Sequence, residues 1–182
     1  MKAIIDMVVP LAQYATIAED KTLCDALFAL ENSQAKFDQA RYRHRSILVN
    51  DATGRVVGQI NYWDIIKCLE PKYDGLLKSV AKSAAGVNKK DILEYIAKMS
   101  LWKDPLEDIC KKSATLKAKD IMHTPKPLQC IGENAALAEA LHQMTVGQYQ
   151  SLLVTRNEEI VGILRLTDVI AMITEQVEAC SI

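Results

Sequence analysis

The chain reads as a mixed α/β protein of the α+β type, made of two copies of one small unit, each a β-sheet packed with helices, with a helical insertion between them. Three observations predict this. Asp6–Leu27 aligns without a gap on Asp120–Leu141, with Asp6/Asp120, Ile17/Ile131, Glu19/Glu133, Leu23/Leu137, Ala26/Ala140 and Leu27/Leu141 identical. The later part of each copy matches again: Ser46-Ile47-Leu48-Val49 with Ser151-Leu152-Leu153-Val154, and Val57–Ile66 with Val161–Ile170. Within each copy, stretches of helical spacing alternate with short, near-continuous apolar runs, the pattern of strands covered by helices. A twofold repeat makes each copy one structural unit and places a ligand cleft most naturally between the halves.

In the first copy, Asp20 is a plausible N-cap for a helix whose Leu23, Ala26, Leu27 and Leu30 share one face. A polar stretch runs from Asn32 to Arg45. Ile47-Leu48-Val49 is the first main strand, Asp51-Ala52-Thr53-Gly54 a turn, and Val56–Ile60 the second strand. Tyr62–Leu69 returns to helical spacing, and Pro71 ends it. The second copy repeats this order. Asn134 is placed to cap a helix carrying Leu137, Ala140, Leu141 and Met144, with Gly147 beyond its end. Strands at Ser151–Thr155 and Ile160–Leu164 flank the turn Arg156-Asn157-Glu158-Glu159, and a helix follows from about Leu166 to Val177.

The segment between the copies is also helical. Gly75–Ala85 has helical spacing, Asn88 with Asp91 resembles a capping box, and Asp104-Pro105 followed by Glu107 is a strong helix start. It is read as a brace for the core, because Leu76, Ile92, Leu93, Ile96 and Trp102 need burial; the other reading is a docking surface. The expected organisation is a first unit over 1–70, the insertion over 71–116 and a second unit over 117–182.

Composition narrows the function classes. With 182 residues, 49% hydrophobic and 25% charged, the chain can bury a substantial core. A net charge of −1 gives no general attraction to nucleic acid or acidic lipid, and no apolar stretch is long enough to span a bilayer. Asp6 interrupts the start of anything resembling a signal peptide. Cys24, Cys68, Cys110, Cys130 and Cys180 are odd in number and scattered without C-x-x-C spacing, which suggests neither a disulfide framework nor a zinc site. A reduced, cytoplasmic protein is expected. No nucleophile elbow, P-loop, H-E-x-x-H or G-x-G-x-x-G appears, so neither an enzyme nor a bound metal is expected. His123 and His142 read as ordinary surface or satisfied residues, Cys130 as a small buried hydrophobe, and Tyr62 and Trp63 as core packing.

Two motifs carry a family resemblance. Asp120-Ile121-Met122-His123-Thr124-Pro125 resembles the opening of a cystathionine β-synthase (CBS) domain, and Gly162–Ile170 its closing strand-to-helix segment. Asp6-Met7-Val8-Val9-Pro10 and Gly58–Ile66 repeat both in the first copy. Two copies in tandem look like a Bateman module. The resemblance implies two units packed through their sheets about a pseudo-twofold axis, with two clefts that commonly hold AMP, ADP, ATP or S-adenosylmethionine, and no required cofactor. It also implies a homodimer, for which the apolar positions at Leu23–Leu30 and Leu137–Met144 are candidate faces.

By that resemblance Asp64 and Asp168 stand at the ribose-binding position, although each also sits where a carboxylate stabilises a helix N-terminus. His44 and Arg45 precede the first main strand, where the γ subunits of AMP-activated protein kinase, which this stretch resembles, direct a His-Arg pair toward phosphates. Arg41 reads as a solvated charge. The second copy has Tyr149-Gln150 there, so the two clefts should differ. Where the family often has Thr or Ser, this chain has Asn61 and Arg165. Asn61 can still donate, whereas Arg165 is able to clamp a phosphate or to fill the cleft itself; Thr167 retains a hydroxyl. The favoured expectation is a regulatory module that senses an adenine nucleotide and signals to a partner protein. The alternative is a structural dimerisation module that binds none.

Overall fold

The apolar runs form the strands expected of them. The structure is a computed structural model that describes residues 4–36, 43–73, 75, 78, 88–100 and 105–180. In the first repeat β2 (Thr16–Ala18), β3 (Ser46–Asn50) and β4 (Val56–Asn61) form a three-stranded sheet in that order, β2 parallel and β4 antiparallel to β3. In the second, β5 (Cys130–Gly132), β6 (Ser151–Arg156) and β7 (Glu159–Arg165) repeat the arrangement, and β1 (Val9–Pro10) adds a fourth strand along β7. Both β3–β4 and β6–β7 shift register at the matched points Val49/Asn50 and Val154/Thr155. The hairpin turns use the residues their chemistry demands. Gly54 takes φ +84°, and the Asp51 carboxylate accepts from the backbone N–H of Thr53 and Arg55.

Helices cover the outer face of each sheet. The first has α1 (Leu23–Lys36), α2 (Tyr62–Leu69) and α4 (Pro105–Thr115); the second has α6 (Leu137–Gly147) and α7 (Leu166–Ala179). Alternate strand residues divide between faces. Val49 and Ile60 enter the core of the first repeat; Leu152, Val154 and Leu164 enter that of the second. Leu48, Leu153 and Ile163 point the other way and meet Val9 and Tyr14 in a seam between the sheets. Each sheet is buried on both sides, which is why its strands read as almost unbroken apolar runs.

The repeats exchange their opening segments. Ile4 and Met7 are buried in the core of the second repeat, and Val9 pairs with Ile163 on β7. Conversely Ala118 and Ile121, on the one-turn helix α5 (Ala118–Ile121), are buried in the core of the first repeat. His123 forms an antiparallel bridge with Gln59, at the position in the first sheet that matches Ile163 in the second. Glycine admits both segments. A Cβ on Gly162 would lie 2.6 Å from Val8 Cγ1 and 2.7 Å from the Val9 carbonyl oxygen, and one on Gly58 would lie 2.3 Å from Met122 Sδ.

Several expected ends and faces differ. Thr22, not Asp20, caps α1: its hydroxyl accepts from the Asp25 N–H while the Asp25 carboxylate accepts from the Thr22 N–H, a reciprocal box two residues further on. Asn134 does not cap α6, whose N-cap position is Ala136 with no side-chain bond. Gly147 is inside α6, and Gln148 takes the left-handed position at φ 51°. On α3 (Lys89–Met99) the Asn88–Asp91 capping box is present, but Ile92, Leu93 and Ile96 are exposed rather than buried. The bracing is done by α4, whose Ile109 packs with Leu23 and Ile65. Leu76, Trp102 and most of the helix expected over 75–85 lie outside the described residues.

The two glycine substitutions should be unequal. Gly162→Ala forces a methyl against backbone and should destabilise by roughly 1–3 kcal/mol, as overpacking does. Gly58→Ala meets only the flexible Met122 side chain and should cost less. Urea unfolding midpoints compare them, and equal midpoints would show that the exchanged segments are not tightly seated.

Candidate functional site

At each strand-to-helix junction the sequence places a carboxylate three residues after the last strand residue, and the two junctions use it differently. In the first repeat Asn61 is the N-cap of α2. Its side chain accepts from the Asp64 N–H at 3.0 Å, and Asp64 Oδ2 accepts from the Asn61 N–H at 2.8 Å. Asp64 Oδ2 also lies 2.8 Å from His123 Nδ1; a carboxylate only accepts, so Nδ1 carries the proton. Asp64 is thereby tied to its own helix and to the opening segment of the second repeat.

In the second repeat the cap position is Arg165, which has no acceptor and makes no side-chain cap bond. It reaches Asp168 instead, with Nε to Oδ2 and Nη2 to Oδ1 both at 2.6 Å. This bidentate pair is deeply buried, Arg165 being 4% and Asp168 9% exposed. Arg165 Nη1 is also 3.3 Å from His44 Nδ1, and because a guanidinium only donates, Nδ1 is the accepting nitrogen. His44 is fixed from several directions. Its N–H donates to Gln34 Oε1 at 2.7 Å, its carbonyl accepts from the Tyr62 hydroxyl at 3.3 Å, and its ring meets Tyr14 edge-on at 4.3 Å.

A polar chain continues along the seam. The Tyr14 hydroxyl is 2.8 Å from Ser46 Oγ, Gln59 Nε2 donates to Ser46 Oγ at 2.7 Å, and Gln129 Nε2 donates to Gln59 Oε1 at 2.6 Å. Gln59 Nε2 also reaches Ser151 Oγ at 3.4 Å. Burial pushes the Tyr14 phenol up to about 12, against smaller opposing effects of its bond to Ser46 and of Arg165.

The expected site residues are thus distributed as follows. His44, Arg165 and Asp168 come together across the seam; Asn61 and Asp64 form the other junction, with His123. Arg45 is exposed and makes no hydrogen bond or ion pair among the described residues, and Thr167 is half-buried in the first turn of α7. Arg41 lies outside the described residues. Tyr62 and Trp63 are not core residues: at 48% and 68% exposed they line the outer side of α2, because Ile65 and Leu69 take its inner face. Sequence reasoning missed His123, Gln59 and Gln129. The only available signal for His123 was its place in the opening motif. Among the described residues no cluster of His, Cys, Asp and Glu is arranged to hold a metal ion. A separate depression of about 330 Å³ beside Gly132, Asn134 and Asn157 contains none of the seam residues; the bidentate Glu133–Arg156 pair lines it.

Comparison with known proteins fits this geometry. The CBS domain family matches residues 118–175. No curated protein matches the chain. Solved structures do. The CBS domain of a CBS domain-containing membrane protein from Sphaerobacter thermophilus superposes with a TM-score of 0.59 at 17% identity, covering 93% of this chain and 86% of that one. CBSX2 in complex with AMP gives 0.59 at 16% identity, over 97% and 98%. A putative acetoin utilization protein (AcuB) from Vibrio cholerae gives 0.57 at 16%, over 98% and 94%. At such identities the likeness concerns the fold.

Alkali should weaken the seam. A phenol raised in the folded state contributes stability that is complete below its ordinary value near 10 and is lost as pH rises through about 12. Tyr14→Phe should cost on the order of 1 kcal/mol at neutral pH, the worth of one hydrogen bond. It should also flatten the stability decline between these limits; an unchanged slope in denaturant titrations would rule out Tyr14 as its source. With the junctions, the seam and the matched second repeat together, the chain has the fold of tandem CBS-domain structures, and its residues 118–175 match the CBS domain family.

Proposed function

We propose that this chain is a regulatory module that binds an adenine nucleotide, AMP, ADP or ATP, where the two repeats meet at His44, Arg165 and Asp168. The observation that carries this reading is the convergence itself: a buried histidine from one repeat, followed in sequence by an exposed arginine, meets the guanidinium that holds a carboxylate in the other. Asp168 supplies a charged acceptor for ribose hydroxyls, and Arg45 lies next to His44 to meet phosphate. A ligand held by both repeats binds in proportion to how well their placement suits it, so occupancy biases that placement and a partner protein can read it. That CBSX2 has been crystallised with AMP in the same fold supports the ligand class. The Asp64 junction, already closed by its capping box and His123, is assigned a structural role.

One observation favours a second reading. Both Asp168 oxygens are engaged by Arg165, as expected of a structural module whose cleft is filled by its own side chains. Melting with AMP, ADP, ATP and S-adenosylmethionine separates the two, because a ligand specific to the folded state raises the apparent midpoint. A rise with an adenine nucleotide is expected, and Arg45→Ala should weaken its binding by roughly 1.5–3 kcal/mol, the worth of a charged hydrogen bond. No rise with any of the four favours the structural reading.

The same proposal includes a homodimer, but not through the faces first suggested. Leu23, Ala26, Leu30, Ala140 and Met144 are buried within the chain's own cores. Of the exposed apolar side chains, which also include Phe28, Val146 and those of α3, Tyr62, Trp63 and Ile66 on α2 and Ile170 and Val177 on α7 form the faces proposed for it. Trp63→Glu should convert a dimer to a monomer in light scattering without lowering the melting temperature of the fold by more than a few degrees. A wild-type chain that is monomeric at tens of micromolar would contradict this.

A further inference from the structure

We infer that α3 docks, on a second copy of this chain, over α6 and α7, in the place that α4 fills on the first repeat. The inference does not depend on nucleotide binding. The repeats are unequal at that place. In the first, α4 and the turn that leaves it lay Ile109 and Leu116 against a core in which Leu23 is 0% and Leu69 7% exposed. The aligned residues of the second repeat are Leu137 on α6 and Ile173 on α7. Both are only half-buried, and among the described residues the second core holds no counterpart of Ile109 or Leu116. Leu137, Leu141 and Ile173 thus edge a core that lacks the third helix its twin possesses.

The chain also carries a helix suited to that place. α3 and α4 are each 11 residues long, roughly 16 Å. The α4 segment turns Ile109, Ser113 and Leu116 inward at i, i+4 and i+7. Ile92, Ile96 and Met99 repeat that spacing on α3, with Leu93 beside them. Such spacing gives the anchors by which an amphipathic helix lies in a groove. Ile92, Leu93 and Ile96 are nevertheless exposed, because α3 is held to its own chain from another side: the Tyr95 hydroxyl donates to the Lys72 carbonyl and the Lys72 ammonium to that of Met99. Charge agrees with the pairing. α6 and α7 contain no Lys or Arg and carry exposed Glu139, Glu175 and Glu178, whereas α3 has Lys89, Lys90 and Lys98 against Asp91 and Glu94. A second copy is the occupant because both unpartnered faces then close at once, and a twofold axis makes the contact twice.

The contact adds to the α2 and α7 faces proposed above, and photo-crosslinking tests it apart from them. With p-benzoylphenylalanine in place of Leu93, irradiation of the full chain at tens of micromolar should give a covalent dimer whose linked peptide lies within 137–177. Leu93→Glu should weaken the dimer about ten-fold or more in analytical ultracentrifugation, since it removes an apolar side chain from two symmetric contacts. It should leave the melting temperature within a few degrees of wild type. A dimer cross-linked elsewhere, or Leu93→Glu associating as tightly as wild type, overturns the inference. So does a cross-link confined to one chain, or a large drop in melting temperature at unchanged mass, since either places the covering surface in the chain itself. A wild-type chain that is monomeric at that concentration overturns it as well. Should Leu93→Glu fail to fold, the cross-linked peptide alone decides.

Discussion

Everything in this fold depends on the fact that neither repeat supplies all of its own core. The second sheet has its outer strand from Val9 and Pro10, and its core is filled by Ile4 and Met7. The first receives Ala118, Ile121 and the His123 bridge in return. A three-stranded sheet with two or three helices is near the lower limit of what can fold alone. The exchange replaces two marginal cores with one cooperative structure. It also explains the glycines at matched points of β4 and β7, where a crossing chain leaves no space for a side chain.

The exchange brings the sheets together, and the seam between them is more polar than either core. Ser46, Gln59, Gln129, His44, Arg165 and Asp168 are all buried there. Such groups are costly unless each finds partners, and in the central chain Gln59 makes two donor bonds and accepts one. A purely apolar seam would tolerate small slips of one sheet over the other. Directed hydrogen bonds between repeats favour a single placement. The pseudo-twofold axis is therefore broken where the chemistry is: Gln59 faces the position of Ile163, and the Asn61 capping box faces the Arg165–Asp168 pair.

Local chemistry was legible in the sequence wherever a residue's partner is close along the chain. The Asp51–Gly54 turn, the Asn88–Asp91 box, the helix starting at Pro105 and the strands of both repeats stand where spacing and turn residues put them. The capping alternative for Asp64 was visible for the same reason. Cap positions slipped where several suitable side chains compete, as with Asp20 and Thr22. Partnerships across long separations left no comparable trace: His123 with Asp64, Arg165 with His44 and Ile4 in the opposite core are fixed by how the repeats cross. Exposure of Trp63 and Leu93 was illegible too, because periodicity identifies an apolar face but not whether the chain itself covers it.

The crossing has a topological corollary for the insertion. Helix α2 ends on the first unit at Leu69, and the chain rejoins that same unit at Leu116 and Ala118, whose carbonyl and N–H bond Leu23 and Lys21. The Lys112 ammonium donates back to the Leu69 carbonyl, closing the base of the loop. The polypeptide passes to the second unit only after His123, through the few residues leading to β5. Residues 71–116 therefore form an excursion anchored at both ends on one body, not a tether between two. Closure entropy grows only slowly with loop length. The excursion can be lengthened, shortened or decorated over evolutionary time without altering the spacing of the two halves, which leaves the exposed side of α3 free to diverge independently of the seam.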